Sequence, residues 1–157
     1  MASQLISLTQ PDRVILSQLQ KDCRLTNQQL ADHVNMSASS CWRRVQSLED
    51  SKVILGYVAR VDAERAGLGF SAMVSIKLSR HEAESVQNFV QDIKKRPEVL
   101  QCFSLTGDAD YMLRVVVEDM AAYNAFLNDF IFRLAAVNQV NTNVVMEVVK
   151  DDLRLPL

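Results

Sequence analysis

Between Ser37 and Gln46 the chain sets out three hydroxyls, two guanidiniums and a carboxamide on Ser37, Ser39, Ser40, Arg43, Arg44 and Gln46. These side chains carry hydrogen-bond donors, and an arginine can meet a guanine edge or a phosphate with two parallel bonds. The chemistry they suit is recognition of a nucleic acid. Bond-making chemistry has little support elsewhere in the chain. His33 and His81 are the only histidines, and neither is flanked by a metal-ligand partner. The four glycines form no phosphate-cradling loop or nucleophile elbow, and Cys23, Cys41 and Cys102 show no metal-ligand spacing. Neither an enzyme nor a metal or cofactor protein is expected.

The elements that must carry this set are two short helices and a tight turn. Thr26 stands three residues before Gln29, a capping box that opens a helix whose apolar positions are Leu30, Ala31 and Val34. Ser37 then caps a second helix, in which Cys41, Val45 and Leu48 fall on one inward stripe. Ser39, Arg43 and Gln46 take the opposite face, and a helix of about 14 residues, roughly 21 Å long, fits a major groove roughly 12 Å wide. This is the pattern of a helix-turn-helix. Arg44 lies nearer the stripe and is expected to reach a phosphate or a local carboxylate such as Asp50. Trp42 is expected to pack, and a buried Cys41 to be an inert thiol. Upstream, Thr9, Pro11 and Asp12 open a helix that turns Ile15, Leu16 and Leu19 inward. Downstream, Lys52 to Val61 is rich in β-branched residues and predicts the wing hairpin of a winged helix.

The second half has a different grammar. Gly67 and Gly69 punctuate a short segment, which divides the chain into a reading domain over 1–62, a linker over 63–69 and a second domain over 70–157. Phe70, Ala72, Val74, Ile76 and Leu78 alternate as a half-buried strand. A Ser79–Glu82 box starts a helix with Val86, Phe89, Val90 and Ile93 inward, ending before Pro97. Strands are predicted over 100–105 and 111–117 around a Thr106–Gly107–Asp108–Ala109–Asp110 turn. Asp119 caps a helix with Tyr123, Phe126, Leu127, Phe130 and Leu134 inward, and a last strand runs from Val140 to Val149. The order βαββαβ predicts an α+β, ferredoxin-like domain, an antiparallel sheet backed by two helices. The last strand reads as apolar on both faces over part of its length, which predicts a partner on the open side.

A net charge of −2 argues against a protein that coats nucleic acid non-specifically, and residues 1–62 hold only 7 Lys/Arg against 6 Asp/Glu. Affinity must then come from a few placed residues multiplied by oligomerisation. With no signal peptide or apolar run of membrane length in the sequence, a reduced, cytoplasmic setting without membrane contact is expected.

The strings SASSCWRRVQSLEDSKVILGY and LTGDADYMLRVVVEDMAAY, at their separation and in this order of elements, resemble the leucine-responsive regulatory protein family, Lrp/AsnC. The resemblance covers about Leu8 to Lys150. It implies a transcription regulator of double-stranded DNA that dimerises through its second domain, often assembles into octamers, and responds to a small amino acid bound between dimers. It places that ligand at Gly107, Asp108, Asp110 and Tyr111, with Met120, Asn143, Val144 and Val145 as further response positions. An amino acid needs acceptors for its ammonium and donors for its carboxylate, and a turn with carboxylates beside free amides offers both. The same turn also reads as a plain hairpin. Ser37–Cys41 lacks two prolines common at the start of the family's reading helix, Ser104 stands where a leucine can occur, and Asn143 where a tyrosine can. Operator and effector identity stay open, and an architectural DNA-organising protein without an effector is the alternative.

Overall fold

The structure is a computed structural model that describes residues 6–79 and 83–157. Glu82 and His81, and with them the expected Ser79–Glu82 box, lie outside the described residues. The chain divides into two compact units: one runs to Ala59 and takes in Lys150–Leu157, the other is Arg60–Val149.

The first unit holds α1 (Gln10–Lys21), α2 (Asn27–Val34) and α3 (Ala38–Asp50). The α2 start is fixed locally. Thr26 accepts from the Gln29 amide at 3.3 Å while the Gln29 side chain accepts the Thr26 amide at 2.8 Å. Asn35 closes α2 in the left-handed region, φ 52°, a conformation its short polar side chain tolerates, and the chain turns at once into α3. Ile15, Leu16, Leu30, Ala31, Cys41, Val45 and Leu48 form the shared core. Truncating one of its large members to alanine removes about 2–5 kcal/mol.

The expected wing hairpin does not form. Residues 52–61 contain no strand, and Leu55 and Val58 stand 89% and 83% exposed. β-branched composition favours a strand only where a neighbour supplies a ladder and a surface to pack on, and the described residues supply neither here. Val53 and Ile54 alone turn back against the helices.

The second unit is built from β1 (Phe70–Leu78), α4 (Ala83–Lys94), β2 (Val99–Ser104), β3 (Tyr111–Val117), α5 (Met120–Asp129) and β4 (Val137–Val144). Its sheet order is β2-β3-β1-β4 and every pairing is antiparallel, the arrangement expected of βαββαβ. Ala72, Val74, Ile76, Leu113 and Val115 face the helices and are fully buried, packed with Phe89, Tyr123 and Phe126. β2 runs one residue earlier than expected, at Val99–Ser104, and two boundaries differ by more than that. β4 starts at Val137 and ends at Val144, because pairing with β1 sets its register and leaves the apolar run beyond Val145 unpaired, with Met146 98% exposed. α5 stops at Asp129, and Ile131–Arg133 continues as one 3₁₀ turn, so Leu134 packs from beyond the helix.

Candidate functional site

Along α3 the inward stripe is Cys41, Val45 and Leu48, as the spacing requires. Burial pushes the Cys41 thiol up against a smaller opposing pull from Arg44, so the thiolate is disfavoured. Opposite the stripe, Ser39 and Arg43 are exposed. Ser37 is occupied at the helix start: its Oγ accepts from the Ser40 amide at 3.3 Å and lies 3.1 Å and 3.0 Å from the Ser39 and Ser40 hydroxyls.

Besides these serines, two more of the six residues face partners inside the protein. Arg44 Nη1 donates to Asp12 Oδ1 at 2.8 Å and to Thr9 Oγ1 at 3.3 Å, tying α3 to the first turn of α1. Its carboxylate is thus Asp12, not Asp50, because the Arg44 side of α3 faces α1. Gln46 donates to Glu49 Oε2 at 2.7 Å, and Tyr57 donates to the other oxygen of Glu49 at 2.8 Å. Burial and the adjoining Glu49 carboxylate push the Tyr57 phenol up to about 12. Glu49 thereby anchors the segment that was expected to be a wing. Trp42 also differs from expectation: it is 50% exposed on the flank of α3, 100° around the helix from Arg43. Neither Asp12 nor Glu49 carried a sequence signal for these roles beyond Asp12's place in a helix-opening pattern.

The eight residues that the resemblance links to a ligand are spread along the sheet of one protomer. Gly107, Asp108, Asp110 and Tyr111 lie at the β2–β3 turn, where Tyr111 pairs with Ile76 near one end of β1. Asn143 pairs with Met73, Val144 with Ala72, and the Val145 amide donates to the Ser71 carbonyl toward the other end. Met120 follows Val117, which pairs with Phe70 at that same far end. At about 3.3 Å per residue, β3 puts roughly 20 Å between Tyr111 and Val117.

The turn itself is firmly held. Asp110 Oδ2 accepts from the Leu78 amide at 2.7 Å, its own amide donates to the Ile76 carbonyl, and its carbonyl accepts from Leu105. A hollow lies on each side of it. One, of about 250 Å³, is lined by Asp110, Tyr111, Ser104, Leu105, Leu78 and Val86 among others. The other, of about 240 Å³ on the open sheet face, is lined by Asp108, Lys77, Ser75, Ala109, Gln139 and Asn141. Both fall below the roughly 300 Å³ at which drug-sized sites begin, which suits a small polar ligand. Lys77 was not singled out from the sequence, although its place on the polar side of the β1 alternation points toward this face.

Residues 8–54 match a winged helix-turn-helix DNA-binding model, and residues 71–155 match the Lrp/AsnC ligand binding domain. The chain belongs to the Lrp/AsnC family. Among relatives in this family, the DNA-binding transcriptional activator DecR of Escherichia coli K12 is 38% identical over 93% of this chain and 96% of its own. The leucine-responsive regulatory protein of the same strain is 38% identical over 92% of this chain and 88% of its own. A transcriptional regulator from Neisseria meningitidis solved as a complex with L-Met superimposes with a TM-score of 0.91, at 33% identity, over 96% of this chain and 97% of that one. As a member of the Lrp/AsnC family the chain is a DNA-binding transcription regulator with a ligand-binding domain, and the family is one of regulators rather than enzymes. Among the described residues no helix is long and apolar enough to cross a membrane.

Proposed function

We propose that this chain is a cytoplasmic, amino-acid-sensing regulator that reads operator DNA as a homodimer or a larger assembly, with the effector bound where copies meet. Ser39 and Arg43 contact base edges, Ser37 and Ser40 shape the start of the reading helix, and two reading helices engage half-sites about one helical turn or a multiple apart. One observation carries the composite ligand site. The turn residues Gly107, Asp108, Asp110 and Tyr111 lie near the Ile76 end of β1 while Val144, Val145 and Met120 lie toward its Phe70 end with Asn143 between them, a spread that supports a site to which different copies contribute. The L-Met complex of the Neisseria relative supports an amino acid as the ligand. Binding at such a site favours one assembly over another and so changes the spacing of the reading helices.

A thermal-shift screen of the twenty amino acids, followed by operator titration with and without each hit, tests the reading. A ligand of the folded state raises apparent stability by mass action, and a hit that also changes operator affinity is the expected result. If no amino acid binds, and footprints are long whatever is added, the chain is a DNA-organising protein instead.

A further inference from the structure

Residues 150–157 follow the last sheet strand in sequence, yet they are built into the first unit, against α1. The attachment is made to main chain. The Gln20 carboxamide accepts from the Leu155 backbone amide at 2.6 Å and donates to the Leu155 carbonyl at 3.1 Å, so one side chain satisfies both polar groups of one residue. A strand residue holds its hydrogen-bonded partner by the same exchange. The segment is shaped for it: Asp152 Oδ1 accepts from the Arg154 amide at 3.0 Å, and its two oxygens take the Arg154 guanidinium at 2.9 Å each. A groove of about 400 Å³ runs between the segment and Ser17, Gln20 and Lys21 of α1. Leu153 and Leu155 stay exposed, so hydrogen bonds rather than apolar burial hold the segment in place. The two Gln20–Leu155 bonds are each weak enough to open and strong enough to bias an equilibrium.

The same helix is held at its other end by the reading helix, through the Asp12–Arg44 pair at 2.8 Å. Gln20 lies eight residues from Asp12, about 12 Å along α1. We propose that Gln20 of α1 is a docking point for extended main chain, that its occupant is this chain's own 150–157 segment, and that this latch sets α1, and through Asp12–Arg44 the reading helix α3, for DNA binding. The latch does not rest on the proposed amino-acid response.

The test uses the full chain and no effector, so a failure of the amino-acid reading leaves it intact. Amide hydrogen exchange of residues 150–157 and titration against a duplex selected from random sequence are compared for the unmodified chain, Gln20→Ala and Leu155→Pro. Leu155→Pro deletes the bonded amide from a residue outside every helix and strand, so it keeps the test decisive if Gln20→Ala folds poorly. The expected result is protection of the Leu155 amide in the unmodified chain and its loss in Gln20→Ala. Both variants should bind the duplex roughly three- to tenfold more weakly, the equivalent of one or two lost hydrogen bonds. Exchange of 150–157 at free-peptide rates in the unmodified chain, or unchanged duplex affinity in both variants, overturns the proposal.

Discussion

Arg44 and Asp12 meet at 2.8 Å, so the second arginine of the reading helix is turned into the protein and the first is left to face outward. Burial raises the Asp12 carboxyl, but hydrogen bonds from the Thr9 hydroxyl and amide and from Arg44 outweigh it and hold the group below the usual aspartate range. A depressed folded value means stability that is present above the ordinary aspartate range and lost as pH falls through the folded value. Arg44→Ala should cost the first unit about 1–2 kcal/mol, between the values for exposed and buried pairs. Urea unfolding at neutral pH measures this. The same titration carried down through pH 4 and below should show an acid loss that Asp12→Asn reduces; an identical acid limb in the variant would remove the pair from the stability of α3.

Arg43 is exposed on the outward face of α3, with no side-chain partner among the described residues. Arg43→Ala should weaken operator binding by about 1–3 kcal/mol if it makes a bidentate base contact, with unfolding unchanged. The single tryptophan gives an independent readout, since Trp42 is half exposed on the flank of the same helix. Its emission should change on titration with operator duplex and stay constant with an unrelated duplex at the same salt. Equal affinity of Arg43→Ala and the unmodified chain would move base reading to other residues.

Asp110 separates two roles that the sequence alone merges. As the acceptor for the Leu78 amide it holds β1 to the turn, and asparagine keeps that acceptor while removing the charge. Asp110→Ala should lose about 1–3 kcal/mol of stability by orphaning the amide, while Asp110→Asn folds normally. Calorimetry on Asp110→Asn with an amino acid found by the screen then asks whether the carboxylate meets the ligand's ammonium. Undiminished affinity would make this aspartate a structural residue only.

The open sheet face carries Met73 opposite Arg114 and Asn143. Covering that face with a second copy would desolvate a glutamate placed at its centre, so Met73→Glu should shift the sedimenting species toward monomer at micromolar concentration. A monomeric unmodified chain under the same conditions would place self-association elsewhere.

Local signals proved the most legible. The Thr26–Gln29 box and the Cys41, Val45, Leu48 stripe act within a helix turn or two of themselves, and both stand in the structure as spaced. Long-range partners were opaque: Asp12 and Arg44 are separated by 32 residues, and nothing in the spacing of either names the other. β4 lies before the apolar run that composition favours, because Asn138, Gln139, Asn141 and Asn143 are polar residues on exposed positions, while the Val-rich run after Val145 has no ladder to join. The expected ligand positions come one by one from the resemblance, whereas how they spread along the sheet depends on register.

The proposed sharing of the ligand site between copies has a consequence for dosage. A pocket completed only by a neighbour makes occupancy and assembly a single equilibrium, so apparent effector affinity rises with the amount of regulator present. On that reading, a cell that raises or lowers synthesis of this chain retunes the effector level at which it responds, without altering a single residue of the pocket.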